Sequence, residues 1–322
     1  MKIKTEYIVL AVIIVCLSLY LIFQNTDEVE YRLPDIQEIN KKGISKIEIK
    51  SGPDESLVIH KENNTWLIAP KDYPADSGKV DSMLDVIDEL SLTALVSEAE
   101  NYGRYGLGDD KKIHVKAWAE NELVRSFDIG KAASTFRHTF VRIAEDKRVY
   151  HAQENFRSKF DISTDKLRDK TVLSFNETEI QALSMVDEEK TLTLALTELP
   201  VEVSAPSEDQ KEEKTSPEAK PVWQDQDGNR VEKAKVDQLL ATLSTLSCES
   251  YIKGKEKKDY QDQKPLHTVT LNGADEYSLT IFNKMDNDDS AYPAISSHNK
   301  YPFMLAGFRA EKIMKGLADD TD

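Results

Sequence analysis

The stretch KVDSMLDVIDELS, Lys79 to Ser91, recurs as KVDQLLATLSTLS at Lys235 to Ser247, and a chain that carries one amphipathic helix twice is constrained to build one architecture twice. In the first copy Val80, Met83, Leu84, Ile87 and Leu90 fall at the spacing of a single helical face. The second copy answers with Val236, Leu239, Leu240, Leu243 and Leu246. Asp76 or Ser77 stands where a short polar side chain can cap the first helix.

The segments around each helix repeat in the same order. ISKIEIK, SLVIHKE and TWLIAP alternate apolar and polar residues, with SGPDE and ENN between them as turns, which predicts an antiparallel meander. KIHVKAW, LVRSFDIG, TFVRIA and RVYHA continue it after the helix, a shorter helix is expected from Glu154 toward Phe160, and LRDKTVLSF closes the half. From Ile180 the order begins again, with Trp223 in the place of Trp66 and HTVTLNGADEYSLTIFNK in the place of the later hairpin. The expected fold class is α+β: an N-terminal transmembrane helix followed by two tandem related domains, each an antiparallel sheet with an amphipathic helix packed on one face. The boundaries read as residues 44–173 and 174–318, with a 319–322 tail. PVEVSAPSEDQKEEKTSPEAKP, residues 200–221, has almost no large apolar side chains and is expected to be a disordered excursion of the second repeat.

Tyr7 to Phe23, YIVLAVIIVCLSLYLIF, carries no charge and reads as a membrane anchor, with residues 1–6 a cytoplasmic stub and 24–43 a connector. Lys2 and Lys4 precede it and Asp27, Glu28 and Glu30 follow, so the positive-inside rule sends the C-terminal domains outside the bacterial cytoplasmic membrane. The alternative, a cleaved signal peptide, needs a small-x-small site that LYLIFQNTDE does not offer. The formal charge of -16, from 58 acidic and 42 basic side chains, argues against a nucleic-acid partner. Cys16 lies in the apolar run, which leaves Cys248 alone beyond it and without an intradomain disulfide.

No constellation of residues fixes a reaction, and the expectation is a protein without enzyme activity, metal or cofactor. The six histidines are scattered singly, and the nucleophile-elbow, zincin and phosphate-loop patterns are missing. Asp225-Gln-Asp-Gly-Asn229 superficially resembles a calcium loop but reads as a hairpin turn. An unrecognised hydrolase would require a cleft gathering carboxylates or a histidine of perturbed acidity. The loop NYGRYGLGDD has a recognition-like composition, so Tyr102, Gly103, Arg104, Tyr105 and Gly106 form a candidate partner-contact loop; the competing reading is a turn that packs on its own sheet.

The IxxIEIK strand, WLIAPKDYPADSGKVDSML, YGLGDD, IGK followed by TFVRIAEDKRVYHA, and LRDKTVLSF together resemble the bacterial domain of unknown function 4340 family. Its genes often lie beside ABC transporter components of the gliding-motility type. The resemblance implies a membrane-anchored extracytoplasmic auxiliary, or adaptor, of an ABC-type transport or surface-assembly system. Its partner would be the permease or its extracytoplasmic subunit; a module binding envelope polysaccharide or peptide is the alternative. Trp66, Pro70, Tyr73, Pro74, Asp76, Leu107, Arg168, Asp169 and Lys170 match the family pattern, with structural roles implied.

Overall fold

The structure, a computed structural model, describes residues 5–23, 33–53, 56–187, 190–199, 220–285 and 290–317. Nearly all of the expected 200–221 excursion, the 24–32 stretch of the connector and the 319–322 tail lie outside the described residues.

Helix α1 (Thr5–Phe23) is followed by β1 (Ile44–Ser51), β2 (Leu57–Glu62), β3 (Thr65–Ile68), β4 (Tyr73–Pro74), α2 (Ser77–Asp88) and β5 (Leu92–Ser97). Next come β6 (Ile113–Ala119), β7 (Glu122–Ala132), β8 (His138–Ile143), β9 (Val149–Gln153), the single turns α3 (Arg157–Phe160) and α4 (Thr164–Leu167), and β10 (Thr171–Ser174). The chain continues through β11 (Ala182–Asp187), β12 (Thr191–Leu199), β13 (Lys220–Asp225), β14 (Arg230–Val231), α5 (Lys233–Leu243), β15 (Thr245–Ser247) and β16 (Ser250–Tyr251). It ends in β17 (His267–Asn272), β18 (Glu276–Ile281), β19 (Ala291–Ser296), β20 (Phe303–Ala306) and α6 (Gly307–Lys315).

Two nine-stranded sheets result, and their orders match place for place. The first runs β4-β3-β2-β1-β6-β7-β8-β9-β5 and the second β14-β13-β12-β11-β17-β18-β19-β20-β16. The mostly antiparallel, α+β character expected from alternation is what the chain adopts. The match reaches into the turns: Asn40 caps a 3-10 turn before β1 by accepting the Lys42 N–H, and Asn176 does the same before β11 with the Thr178 N–H. By contacts the chain divides into Met1–Val58 with Asp81–Asp161, and Ile59–Val80 with Ile162–Asp322.

Alternation explains the cores. Ile47 and Ile49 on β1, Ile113, Val115 and Ala117 on β6, and Phe127 and Ile129 on β7 are all buried. On α2, Val80, Met83, Leu84 and Ile87 are buried, as expected from the helical stripe. In the second unit Trp223, Val236, Leu239, Leu240, Leu243, Leu271, Leu279 and Phe303 share one core cluster. Each such side chain contributes roughly 1.5–3 kcal/mol by leaving water.

Two local expectations are corrected. The helix expected from Glu154 starts only at Arg157, because Glu154 takes a positive φ of 68 that ends β9 and cannot begin a helix. LRDKTVLSF, expected to close the first half, is drawn into the second unit, where β10 pairs with β15. As for α1, its described apolar side chains, Val9 through Tyr20, are exposed. Among the described residues no helix is long and apolar enough to cross a membrane, so the anchor is not established by the fold.

Candidate functional site

The Tyr-Gly loop folds as a 3-10 turn, Tyr102–Tyr105, closed by Gly106 in the left-handed region at φ 68. Its tyrosines turn back to the sheet: the Tyr102 hydroxyl donates to the Lys147 carbonyl at 3.0 Å, and the Tyr105 ring lies 5.1 Å from Phe140. Leu107 is buried beneath. Gly130 on β7 admits the loop, since a Cβ there would stand 2.3 Å from the Tyr105 carbonyl oxygen. Gly103 and Arg104 remain exposed, and Gly106 borders an open hollow of about 390 Å³ lined also by Asp110, Lys111, Lys131 and Arg157.

Beside that loop lies a charged row that alternation alone did not disclose. His114 on β6, Asp128 on β7 and Arg142 on β8 are register partners on adjacent strands. His114 Nδ1 lies 2.5 Å from one Asp128 oxygen, Arg142 donates to the other through Nε at 3.0 Å and also through Nη2, and Lys112 Nζ stands 4.0 Å away. The Asp128 side chain is 5% exposed. Burial pushes its carboxyl up, but the hydrogen bonds from His114 and Arg142 outweigh burial and hold it below the ordinary carboxylate value. Each of the three strands carries more than one charged or titratable residue, in β8 His138 and Arg142, and only the register singles out these three and places them together.

The family-pattern residues other than Leu107 lie elsewhere, within the second unit. Pro74 and Asp76 meet the segment after α4: Asp169 N–H donates to the Pro74 carbonyl at 2.9 Å, Asp76 N–H to the Leu167 carbonyl at 2.8 Å, and Ala75 and Arg168 form a β-bridge. The Asp76 carboxylate accepts the Lys79 N–H at 3.1 Å and so caps α2, as the sequence suggested. Trp66, buried on β3, holds Ala75 through its carbonyl, and Pro70 follows a cis Ala69–Pro70 bond. Lys170 reaches the Glu249 carbonyl, and its own carbonyl accepts the Cys248 N–H at 2.8 Å.

Arg168 lies at the centre. Its Cζ is 3.7 Å from the Tyr73 ring centroid, 3.5 Å from that of Tyr251 and 5.1 Å from that of Tyr301, and the residue is 5% exposed. The Tyr251 hydroxyl donates to the Asp169 carbonyl at 2.8 Å and accepts from Asn299 Nδ2 at 3.0 Å. Burial pushes the Tyr251 phenol up to about 12 and the neighbouring Cys248 thiol up to about 11, so neither supplies an anion near neutrality. Tyr251, Asn299 and Tyr301 had no periodic or motif signal. Their roles exist only because β16 and the β19–β20 hairpin bring them to Arg168.

Asp225 to Asn229 is a turn between β13 and β14, in which Asp225 accepts the Asp227 and Asn229 N–H groups. Among the described residues no three metal-ligating side chains gather. A family model described as a domain of unknown function (DUF4340) matches residues 66–265. No curated protein and no solved structure matches the chain.

Proposed function

We propose that this chain, which belongs to the domain of unknown function DUF4340 family, is a membrane-anchored extracytoplasmic adaptor that serves an ABC-type transport or surface-assembly system through protein contacts. The observation that carries the contact reading is the repeated strand order, which supports two copies of one α+β domain joined in tandem. The paired Asn40 and Asn176 caps support duplication independently, because a cap is not required by strand order. Two like domains on one tether enlarge a contact surface, and tethering raises the effective concentration of partners in the same membrane.

The anchor reading draws on the sequence alone. Tyr7 to Phe23 bears no charge, and seventeen residues in helical form at about 1.5 Å each would reach roughly 25 Å, near the lower limit for a hydrocarbon core. The class of partner comes from the family resemblance. Purification of the full chain from detergent-solubilised membranes should recover the ATPase and permease of one transporter. Recovery of neither, with α1 intact, would sink the adaptor reading, as would resistance of residues 33–317 to protease added to spheroplasts whose own extracytoplasmic proteins are digested.

A second reading has one observation in its favour. The hollow beside Gly106 carries Lys111 and Lys131 along with Asp110, a mixed-charge surface suited to an envelope peptide or polysaccharide.

A further inference from the structure

Arg168 is a cation held in an aromatic slot with no carboxylate to pair with among the described residues. A guanidinium is planar, and a ring centroid about 3.5–3.7 Å from Cζ lies over one of its two faces, since approach along the plane is blocked by the nitrogens. Tyr73 and Tyr251 therefore take one face each. Tyr301, at 5.1 Å, stands toward the edge. Among the described residues the guanidinium donates no hydrogen bond and has no carboxylate within 4.0 Å, although the residue is 5% exposed. Its nitrogens are not among the side-chain atoms sealed from solvent, so the edge of the group can still be reached. Five N–H donors in a fixed fork, largely desolvated and without an acceptor, are costly to maintain for packing alone.

The surroundings favour an anion. Lys71 Nζ and Lys300 Nζ each lie 5.9 Å from a ring of the cluster, those of Tyr73 and Tyr301, and both lysines are exposed and without an ion pair among the described residues. The nearby carboxylates are engaged: Asp169 with the Thr171 N–H, Asp165 with Lys253 and Asp72 with His60. In a chain of formal charge -16, an unpaired Arg and two unpaired Lys around three tyrosines are a local reversal of sign.

We propose that Arg168 is a receptor for a carboxylate carried on a slender stem, an Asp or Glu side chain in an acidic segment of a partner protein. This rests on the contact reading above and names the chemistry of the contact. A carboxylate is planar and can extend the guanidinium plane between the two rings as a bidentate pair. A tetrahedral phosphate is thicker than that layer, and the carboxylate of a uronic acid is attached directly to a ring too bulky to approach a guanidinium this buried.

The test uses the full chain in detergent micelles with a fluorescent oligoglutamate peptide, and inorganic phosphate and polygalacturonate as competitors. Oligoglutamate should bind, and the binding should weaken with salt. Arg168→Lys, which keeps the charge and loses the fork, should lower affinity about tenfold or more. Lys71→Gln with Lys300→Gln, both exposed and safe for folding, should lower it about threefold. No binding by the parent protein, or equal binding by a folded Arg168→Lys, overturns the proposal. Should that variant fail to fold, unchanged affinity in the double lysine variant overturns it instead. Competition by phosphate or polygalacturonate as effective as by unlabelled oligoglutamate removes the assignment to a protein carboxylate. Because the assay contains no transporter, peptide binding without recovery of an ATPase and permease would sink the adaptor reading and leave the carboxylate site standing.

Discussion

The β8–β9 and β19–β20 hairpins are built on the same bend but use its central side chain differently. In the first, Asp146 Oδ1 accepts the Arg148 N–H at 2.9 Å; in the second, Asn299 Oδ1 accepts the Tyr301 N–H at the same distance. Two residues further on, Tyr150 and Phe303 are both fully buried. Tyr150 returns its hydroxyl to Asp146 at 2.7 Å, and Arg148 pairs with the same carboxylate at 2.8 Å, so this hairpin closes on its own charges. Phe303 has no hydroxyl to return, and Asn299 instead braces Tyr251, one of the faces over Arg168. The outer rows of the sheets differ in the same sense: Lys50, His114, Asp128 and Arg142 are register partners in the first, and Val186, Thr268, Thr280 and Ile295 in the second. The first sheet gathers His114 and Arg142 on the Asp128 carboxylate, whereas in the second unit Arg168 lies in an aromatic slot with no carboxylate partner among the described residues.

The largest effect should come from breaking the charged row. Asp128→Ala removes the shared acceptor of His114 and Arg142, and breaking a buried pair of this kind costs about 3 kcal/mol, the low end of the range because both partners keep some solvent. Urea denaturation should show this as a lower midpoint. The comparison sharpens with the triple change His114→Thr, Asp128→Thr, Arg142→Ile, which writes the second sheet's row into the first. It should regain all but about 1 kcal/mol, since well-packed neutral groups commonly replace ion clusters without loss. A triple variant as unstable as the single one would show that the two rows are not interchangeable.

What could be read from the chain follows from how local each signal is. Helix stripes and alternating strands are set by neighbours a few residues apart, so α2, α5 and the meanders were legible, and so was the Asp76 cap. The correspondence of Trp66 and Trp223 was legible from their matching places in the two meanders, and the structure buries both. His114, Asp128 and Arg142 are distributed over three strands, and only the register of β6, β7 and β8 reveals one cluster. Arg168 was found by resemblance, but Tyr73 and Tyr251 stand far from it along the chain in opposite directions, and no period connects them. The capture of LRDKTVLSF by β15 was equally invisible, because a short apolar strand does not name its partner.

A smaller effect separates the two principal helices. α2 has the Asp76 carboxylate on its first-turn N–H groups, whereas the residue before α5, Glu232, makes no side-chain cap bond. Asp76→Ala should cost about 1 kcal/mol, and Glu232→Ser should add a few tenths to about 1 kcal/mol. Amide exchange in the first turn of each helix would register both changes, faster at Lys79 and Val80 and slower at Lys235 and Val236. Equal exchange in parent and variants would mean that neither cap limits fraying.

The smallest expected difference is one of pH, and it tests the hairpins directly. The Arg148 hydrogen bond, opposed by partial burial, holds the Asp146 carboxyl at about 2, below its ordinary 3.8. A depressed carboxyl stabilises the fold fully above its unfolded value and loses that contribution as the pH falls from about 4 through about 2. Burial and the Asp146 hydrogen bond raise the Tyr150 phenol to about 12, and this contribution has the opposite sense: complete below 10 and lost between 10 and 12. Because the Asp146 side chain keeps 21% and the Arg148 side chain 39% of its surface exposed, partial screening by solvent limits the carboxylate's share to about 1 kcal/mol or less. Asp146→Asn should therefore lower stability slightly at pH 6, with the difference from the parent vanishing near pH 2. Asn299→Ala should show a cost that does not change over the same interval, because an amide has no proton to gain. A pH-independent Asp146→Asn difference would make the two hairpins energetically alike, and the contrast between them would reduce to shape.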